Sequence, residues 1–262
     1  MKNVALITGG SSGIGRELAI VHAERGGDVV IVARGESELE ACKRELESKY
    51  GAAVMTVAMD LTRPSAPKEL YERVRAADVS VEFLMNNAGF GGQGRFWERE
   101  WDKDAAMIDL NIGALTELCR LFLPEFVARN RGRILNTSST AGLMPGPLQA
   151  VYYATKAYVN SFSQAVAEEL SDTKVTMTAL LPGVTATQFA RTGGLEETPL
   201  FSGTLADPKV VAHHGYEGML AGKRLVYGGV PLALRAGIAV LPLVPTGALI
   251  RQIKKSQEVR RK

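Results

Sequence analysis

The chain has 262 residues, a net charge of +3, 46% hydrophobic and 6% aromatic residues, and two cysteines. That length holds one large α/β domain or two small ones, and it buries a full core without disulfide staples. Cys42 and Cys119 stand far apart without metal or redox spacing, and His22, His213 and His214 lack the i, i+4 pairing of a zinc helix, so no metal site is expected.

Met1-Lys2-Asn3 leads directly into an apolar run with no leader-peptide pattern, and a cytoplasmic protein is expected. The segment Ala5–Gly15, ALITGGSSGIG, passes from a predicted strand at Val4–Ile7 through a glycine-rich turn into a predicted helix at Gly13–Arg25. Unpaired N–H groups and the helix dipole face an anion there, and glycine permits the close approach that a pyrophosphate requires. The absence of GK[ST] speaks against a phosphate-loop NTPase.

Further short runs rich in β-branched residues follow at Val29–Val32, Ala53–Ala58, Val81–Met85, Ile134–Asn136 and Val175–Leu181, and Lys223–Tyr227 reads as a seventh strand. Near-continuous apolar runs suit strands covered on both faces. Between them, Glu36–Lys49, Ala66–Ala77, Trp101–Arg129, Val151–Leu170 and Pro208–Leu220 carry helical periodicity. The predicted fold is α/β: a single-domain Rossmann fold with a doubly wound parallel sheet of about seven strands and helices on both faces. Residues 1–228 form the dinucleotide-binding and catalytic domain in this reading, and 229–262 an extension that is apolar and then basic. Residues 187–206, with Phe189, Leu195, Leu200 and Phe201, break the rhythm and read as an apolar lid or as a plain surface excursion.

Tyr152 and Lys156 stand four apart in a predicted helix and share one face. An ammonium near a phenol favours the phenolate, which is expected to lower the tyrosine pKa toward neutrality. Ser139, at the end of a strand, is placed to hydrogen-bond the same substrate oxygen as that oxygen develops alkoxide charge.

With these residues in view, the chain resembles the short-chain dehydrogenase/reductase family over about its first 225 residues, in the NADP-preferring type that includes 3-oxoacyl and steroid-type ketone reductases. The glycine motif is Thr8-Gly9-Gly10-Ser11-Ser12-Gly13-Ile14-Gly15, the NNAG motif Asn86-Asn87-Ala88-Gly89, and the YxxxK motif Tyr152 to Lys156, with Ser139 and Asn111 as partners. Pro182-Gly183 followed by Thr187 matches the segment that closes over the nicotinamide carboxamide. The resemblance implies Tyr152 as general acid, Ser139 as the group that polarises the carbonyl, Lys156 on the nicotinamide ribose, and Asn111 holding a water that links Lys156 to solvent. It implies cofactor contacts from Gly9, Ser11, Ser12, Gly13, Ile14, Gly15, Asp60, Leu61, Asn87, Ala88 and Gly89. Tyr153 is rotated about 100° off the shared helix face, and Ser138 is one step off Ser139, so both are expected to point elsewhere.

An NAD-selective site usually ends its second strand with a carboxylate, whereas here Arg34 stands at that position, so NADPH/NADP+ is the expected cofactor. Arg16 reads either as a second contact to the same phosphate or as surface. Asp60 reads either as an adenine contact or as the cap of the following turn.

From Leu225 to Ile250 the only charge is Arg235, and prolines and glycines divide the run, so a spanning helix is not expected. A helix at Leu232–Leu241 that walls the substrate cleft or meets another subunit is one reading. The alternative is peripheral membrane contact, with the basic residues Arg251, Lys254, Lys255, Arg260, Arg261 and Lys262 facing anionic lipid. No basic stripe is interleaved with aromatics, so nucleic acid is not an expected partner.

The function expected is NADPH-dependent, reversible reduction of a ketone or aldehyde on a lipophilic substrate. A dinucleotide-binding sensor or scaffold without turnover is the rival, since folds do not fix function. Apolar residues in surplus on the helices at 101–129 (Leu115, Leu118, Leu121, Phe122, Phe126) and 151–170 (Val159, Phe162, Val166, Leu170) predict a homodimer, with a tetramer as the alternative.

Overall fold

The computed structural model describes residues 1–241 and 244–258, so Arg260, Arg261 and Lys262 of the basic end lie outside the described residues. Seven strands, β1 (Val4–Thr8), β2 (Val29–Ala33), β3 (Val54–Ala58), β4 (Val81–Asn86), β5 (Arg133–Thr137), β6 (Thr176–Pro182) and β7 (Leu225–Gly228), pair in the order β3-β2-β1-β4-β5-β6-β7. Every pairing is parallel. The chain winds outward from β1 to β3, then returns to the other side of β1 with β4. A crevice opens at that switch point beyond the carboxyl ends of the strands.

Strand β1 shows how the two-residue period divides one run between two cores. Val4 and Leu6 join Leu70, Val74, Leu118 and Phe122 on one face of the sheet. Ala5 and Ile7 join Leu18, Leu39, Leu46 and Tyr216 on the other. The first group comes from helices α3 (Ala66–Ala76) and α5 (Leu115–Ala128); the second comes from α1 (Gly13–Glu24), α2 (Glu36–Tyr50) and α8 (Pro208–Leu220). Each fully buried large side chain contributes about 1.5–3 kcal/mol, which explains why strands buried on both faces are almost continuously apolar.

Two helical expectations are corrected. The single helix at Trp101–Arg129 is divided into α4 (Trp101–Ile108) and α5 by a π-helical turn at Asp109–Ala114. The cause lies at Asn111, whose side chain donates to Phe90 O at 3.0 Å and to Thr155 Oγ1 at 3.1 Å and accepts from Phe90 N at 3.2 Å. Three fixed bonds hold this residue where a regular α-helix would carry it past. Second, most of the apolar surplus assigned to subunit pairing is used inside the chain. Leu115, Leu118, Phe122, Phe126, Val159 and Leu170 are all buried in its own core, leaving Leu121, Phe162 and Val166 half-buried.

The predicted helix at Leu232–Leu241 forms as α9 (Leu232–Ala239), with Leu232 80% and Leu234 51% exposed. The segment that reaches the cleft is α10 (Thr246–Gln257), through Leu249, Ile253 and Gln257. None of the described helices is long and apolar enough to cross a membrane.

Candidate active site

The turn between β1 and α1 is fixed by backbone geometry. Gly13 sits at φ +53°, a region that side chains disfavour, and a Cβ there would lie 3.1 Å from Thr187 Cγ2. A Cβ on Gly15 would overlap the carbonyl oxygen of Gly9. The first site thereby brings the glycine motif against the Pro182–Thr187 segment from the far side of the sheet. Thr8, whose role the sequence reading did not single out, ties the turn to NNAG: its Oγ1 accepts from both Asn87 N and Ala88 N at 3.0 Å. Asn87 Nδ2 returns bonds to Thr8 O and Gly9 O at 3.1 and 3.3 Å. Asn86 instead turns inward, donating to Asn136 Oδ1 at 2.9 Å, and so joins β4 to β5.

Around this turn stand polar groups placed to receive an anion. Ser12 occupies the N-cap of α1 but makes no side-chain cap bond, and Ser11 and Ile14 are half-buried beside it. A cleft of 650 Å³ opens here, bordered by Ser12, Gly13, Glu17, Thr187, Arg191 and Phe201. Arg34 is exposed just past β2 and stands near enough to Asp60 to help hold its carboxyl below the ordinary value. The larger cause of that depression is the N–H of Thr62, which Asp60 Oδ1 accepts at 3.0 Å along with the Thr62 hydroxyl at 2.8 Å. Asp60 therefore caps its own turn with one oxygen. Leu61 is buried in the core beneath it, so any contact it offers outward comes from its backbone. Arg16 pairs with Glu17 at 2.8 Å and with Glu45 of α2, which commits its guanidinium to the protein surface.

The chemistry-bearing side chains meet on α6 (Ala150–Glu169) and the strand ends that face it. Ser139 caps the short 3₁₀ turn at Thr140–Leu143, accepts from Ala141 N at 3.0 Å, and stands near enough to the Tyr152 phenol to favour its ionised form. Lys156 Nζ donates to Thr137 O at 2.8 Å and lies 5.9 Å from the centre of the Tyr152 ring. Gly89 borders both helix residues, since a Cβ there would lie 2.9 Å from Asn111 Oδ1 and 3.5 Å from Lys156 Nζ. Ser138 and Tyr153 point elsewhere as expected: Ser138 Oγ donates to Lys156 O at 2.9 Å, and Tyr153 meets Gln257.

The electrostatics depart from the sequence expectation. Burial pushes the Tyr152 phenol well above its ordinary pKa, with the nearby Ser139 hydroxyl opposing, while burial alone pulls the Lys156 ammonium down to about 8. Desolvation penalises whichever form is charged, so it acts in opposite directions on an acid and a base. The phenol is held protonated, which is the form a general acid needs. The lysine is the group whose proton exchanges close to neutrality.

Against Tyr152 packs an apolar cluster. Phe189 of α7 (Phe189–Gly193) has its ring centre 5.1 Å from that of Tyr152, and Met107, Met144, Phe90, Leu249 and Ile253 pack into the same cluster. Of the other apolar residues in 187–206, Leu195 is fully buried and Phe201 borders the cleft beside the glycine turn instead of this cluster. Ile253 and Gln257 escaped sequence reasoning entirely, because an amphipathic helix does not announce which surface it covers.

The pattern of the family described as short chain dehydrogenase matches residues 3–197. The chain belongs to this family. The very-long-chain 3-oxoacyl-CoA reductase of Bos taurus is 33% identical to it over 193 residues, which is 71% of this chain and 61% of that relative. The match thus spans less than two-thirds of the relative's length. Among solved structures, a short-chain dehydrogenase from Sphingobium yanoikuyae in complex with NADPH is 30% identical, with a TM-score of 0.82 over 99% of both chains. The bulky-bulky ketone specific alcohol dehydrogenase from Comamonas testosteroni is 27% identical, with a TM-score of 0.78 over 99% of this chain and 96% of that one. The family match ends at residue 197, so α8, β7 and the tail lie beyond it.

Proposed function

We propose that this chain is an NADPH-dependent carbonyl reductase acting on a lipophilic ketone or aldehyde, and that it also oxidises the corresponding alcohol. The carrying observation is the meeting of Ser139, Tyr152 and Lys156 beside Gly89, with Tyr152 buried in an apolar cluster.

The residues present fit a dinucleotide. Gly13 and Gly15 leave open the space that side chains would fill, and Ser12 and the first N–H groups of α1 are free of a side-chain cap. In this reading Gly9, Ser11, Ser12, Gly13, Ile14 and Gly15 hold the pyrophosphate, and Arg34 takes the 2′-phosphate. Asn87, Ala88, Gly89, Pro182, Gly183 and Thr187 frame the nicotinamide side, and Asp60 with the backbone of Leu61 flanks the adenine. When bound, the reduced cofactor supplies a hydride to the carbonyl carbon. Tyr152 then gives its phenolic proton to the carbonyl oxygen, and Ser139 donates a hydrogen bond to that oxygen as negative charge gathers on it. Lys156 holds the ribose and lends positive charge beside the phenol once its proton is lost. Asn111 links Lys156 to solvent so that the proton is replaced.

The lining of Phe90, Met107, Met144, Phe189, Leu249 and Ile253 supports a 3-oxoacyl or steroid-like substrate over a sugar, because a sugar would need convergent polar partners. The very-long-chain 3-oxoacyl-CoA reductase and the bulky-bulky ketone specific alcohol dehydrogenase support the same reading. A homodimer remains the proposed assembly, across exposed Ile108, Val127 and Tyr158 on the helices flanking the π turn and on α6.

NADPH oxidation measured across lipophilic ketones, 3-oxoacyl thioesters and sugars tests the reading. Turnover confined to the apolar compounds, with NADPH preferred over NADH, supports it; turnover of sugars alone, or of none of the three classes, overturns it.

A further inference from the structure

We propose that Gln257 is a positioning residue that clasps the C-terminal helix onto the catalytic helix, so that α10 serves as a removable wall beside Tyr152 and sets the size of ketone admitted there. The inference rests on the carbonyl reductase reading for its chemistry and goes beyond it in naming what bounds the substrate.

Leu249, Ile253 and Gln257 fall at i, i+4 and i+8 along one face of α10, while Arg251, Lys254 and Lys255 are exposed on the others. Leu249 and Ile253 enter the cluster that contains Tyr152, Met144 and Phe189. They are the wall. Gln257 is the last residue of the helix, where ends ordinarily fray, yet it is fully buried. Its Nε2 donates to the Tyr153 hydroxyl at 2.7 Å, its Oε1 accepts from Gln149 Nε2, and its carbonyl oxygen accepts from Gln93 Nε2 at 3.0 Å. Those three partners lie on α6, at the N-cap of α6, and in the loop after β4. One side chain and its own carbonyl therefore join the tail to the catalytic helix, to its N-cap and to the loop after β4.

The rest of the tail adds little to that hold. In α9 only Ile238 is buried, and residues 244–248 are exposed. A buried polar clasp of this kind is directional: withdrawing Gln257 leaves the Tyr153 hydroxyl and the Gln149 and Gln93 amides without their partner at once. Tyr153 is the immediate neighbour of Tyr152, with ring centres 6.1 Å apart, so the clasp also braces the helix turn that carries the proposed acid.

The test uses the full-length protein with NADPH and two ketones of different size, cyclohexanone and a long-chain methyl ketone, together with hydrogen exchange of α10. Gln257→Ala is expected to remove amide protection across residues 249–257 and to raise KM for the long ketone about tenfold, leaving kcat for cyclohexanone within twofold. Gln257→Glu, which keeps the length and an acceptor for Gln149, is expected to fall between wild type and Gln257→Ala in both readouts. Ile253→Trp is expected to keep α10 protected but lower kcat/KM for the long ketone about tenfold. Equal losses on both ketones, or unchanged exchange in Gln257→Ala, overturn the clasp. If exchange changes as expected while the wild-type chain reduces no ketone, the clasp stands as a structural device, and it is the carbonyl reductase reading and its size filter that fall.

Discussion

The turn between β1 and α1 and the wall built by α10 enclose opposite sides of one site by opposite physical means. The turn is a backbone object: Gly13 needs a positive φ and Gly15 a bare Cα, so almost any change there displaces main chain. The wall is a side-chain object, made of Ile253, Leu249 and one amide, and it tolerates exchange of one apolar group for another. The first can recognise a fixed ligand such as a dinucleotide. The second can be retuned for a new substrate without disturbing the fold, which is the division of labour expected when one scaffold serves many chemistries.

Substitutions can break this contrast, and the largest effect belongs to the group that stands between the two regions. Tyr152→Phe removes the acid while preserving the ring against Phe189, so kcat should fall about a thousandfold with NADPH affinity retained, as measured by steady-state kinetics and calorimetry. Near-normal turnover in that variant would remove Tyr152 from the chemistry. Gly15→Ala forces a Cβ into the Gly9 carbonyl, and about 1–3 kcal/mol of overpacking should weaken NADPH binding by up to about a hundredfold. A one-carbon change in the wall, Leu249→Val, should leave NADPH affinity untouched. Arg34→Ala should reduce the preference for NADPH over NADH by about thirtyfold, the usual worth of a charge-assisted hydrogen bond. An unaltered ratio would show that the exposed guanidinium does not read the 2′-phosphate.

A further contrast concerns stability and not activity. Lys156 has a pKa near 8 when folded against 10.5 ordinarily, so the unfolded chain binds its proton more tightly. Stability is therefore reduced below pH 8 and recovers as pH rises from 8 to about 10.5, by about 3 kcal/mol in all. Lys156→Met lacks that titration. Denaturant melts of the two proteins should converge or cross across this pH window, and a constant gap between them would deny that the ammonium is buried as described.

Much of the cofactor side was legible because glycine spacing and strand ends carry their reasons locally. Gly9, Gly13 and Gly15 fall in the turn, Arg34 follows β2, Ser139 follows β5, and Tyr152 and Lys156 share a face of α6. The separation of Ser138 from Ser139 and of Tyr153 from Tyr152 was legible too, since it needs only the pleat and the helical repeat. What could not be read depends on partners distant in sequence. The surplus on α5 looked like an interface because nothing local says that Leu118 and Phe122 meet Leu70 and Val74. The direction of the Tyr152 pKa followed burial, which a four-residue spacing does not encode. The sequence left the role of the apolar 232–241 segment open and gave no sign that Gln257 of α10 would be buried beside Tyr153.

The π turn at Asp109–Ala114 is, in effect, one residue too many for an α-helix. An extra residue adds about 100° of rotation, so α4 and α5 present faces that an unbroken helix could not present together. Excising a single residue such as Gly113, which has open space around it, would let the two helices fuse into one regular rod. Asn111 would then swing away from Phe90 and Thr155, and the protein would keep a longer, better-formed helix while losing the one kink that lets it reach Lys156's surroundings. Here irregularity of the secondary structure is the working part, and perfecting the helix is the way to disable it.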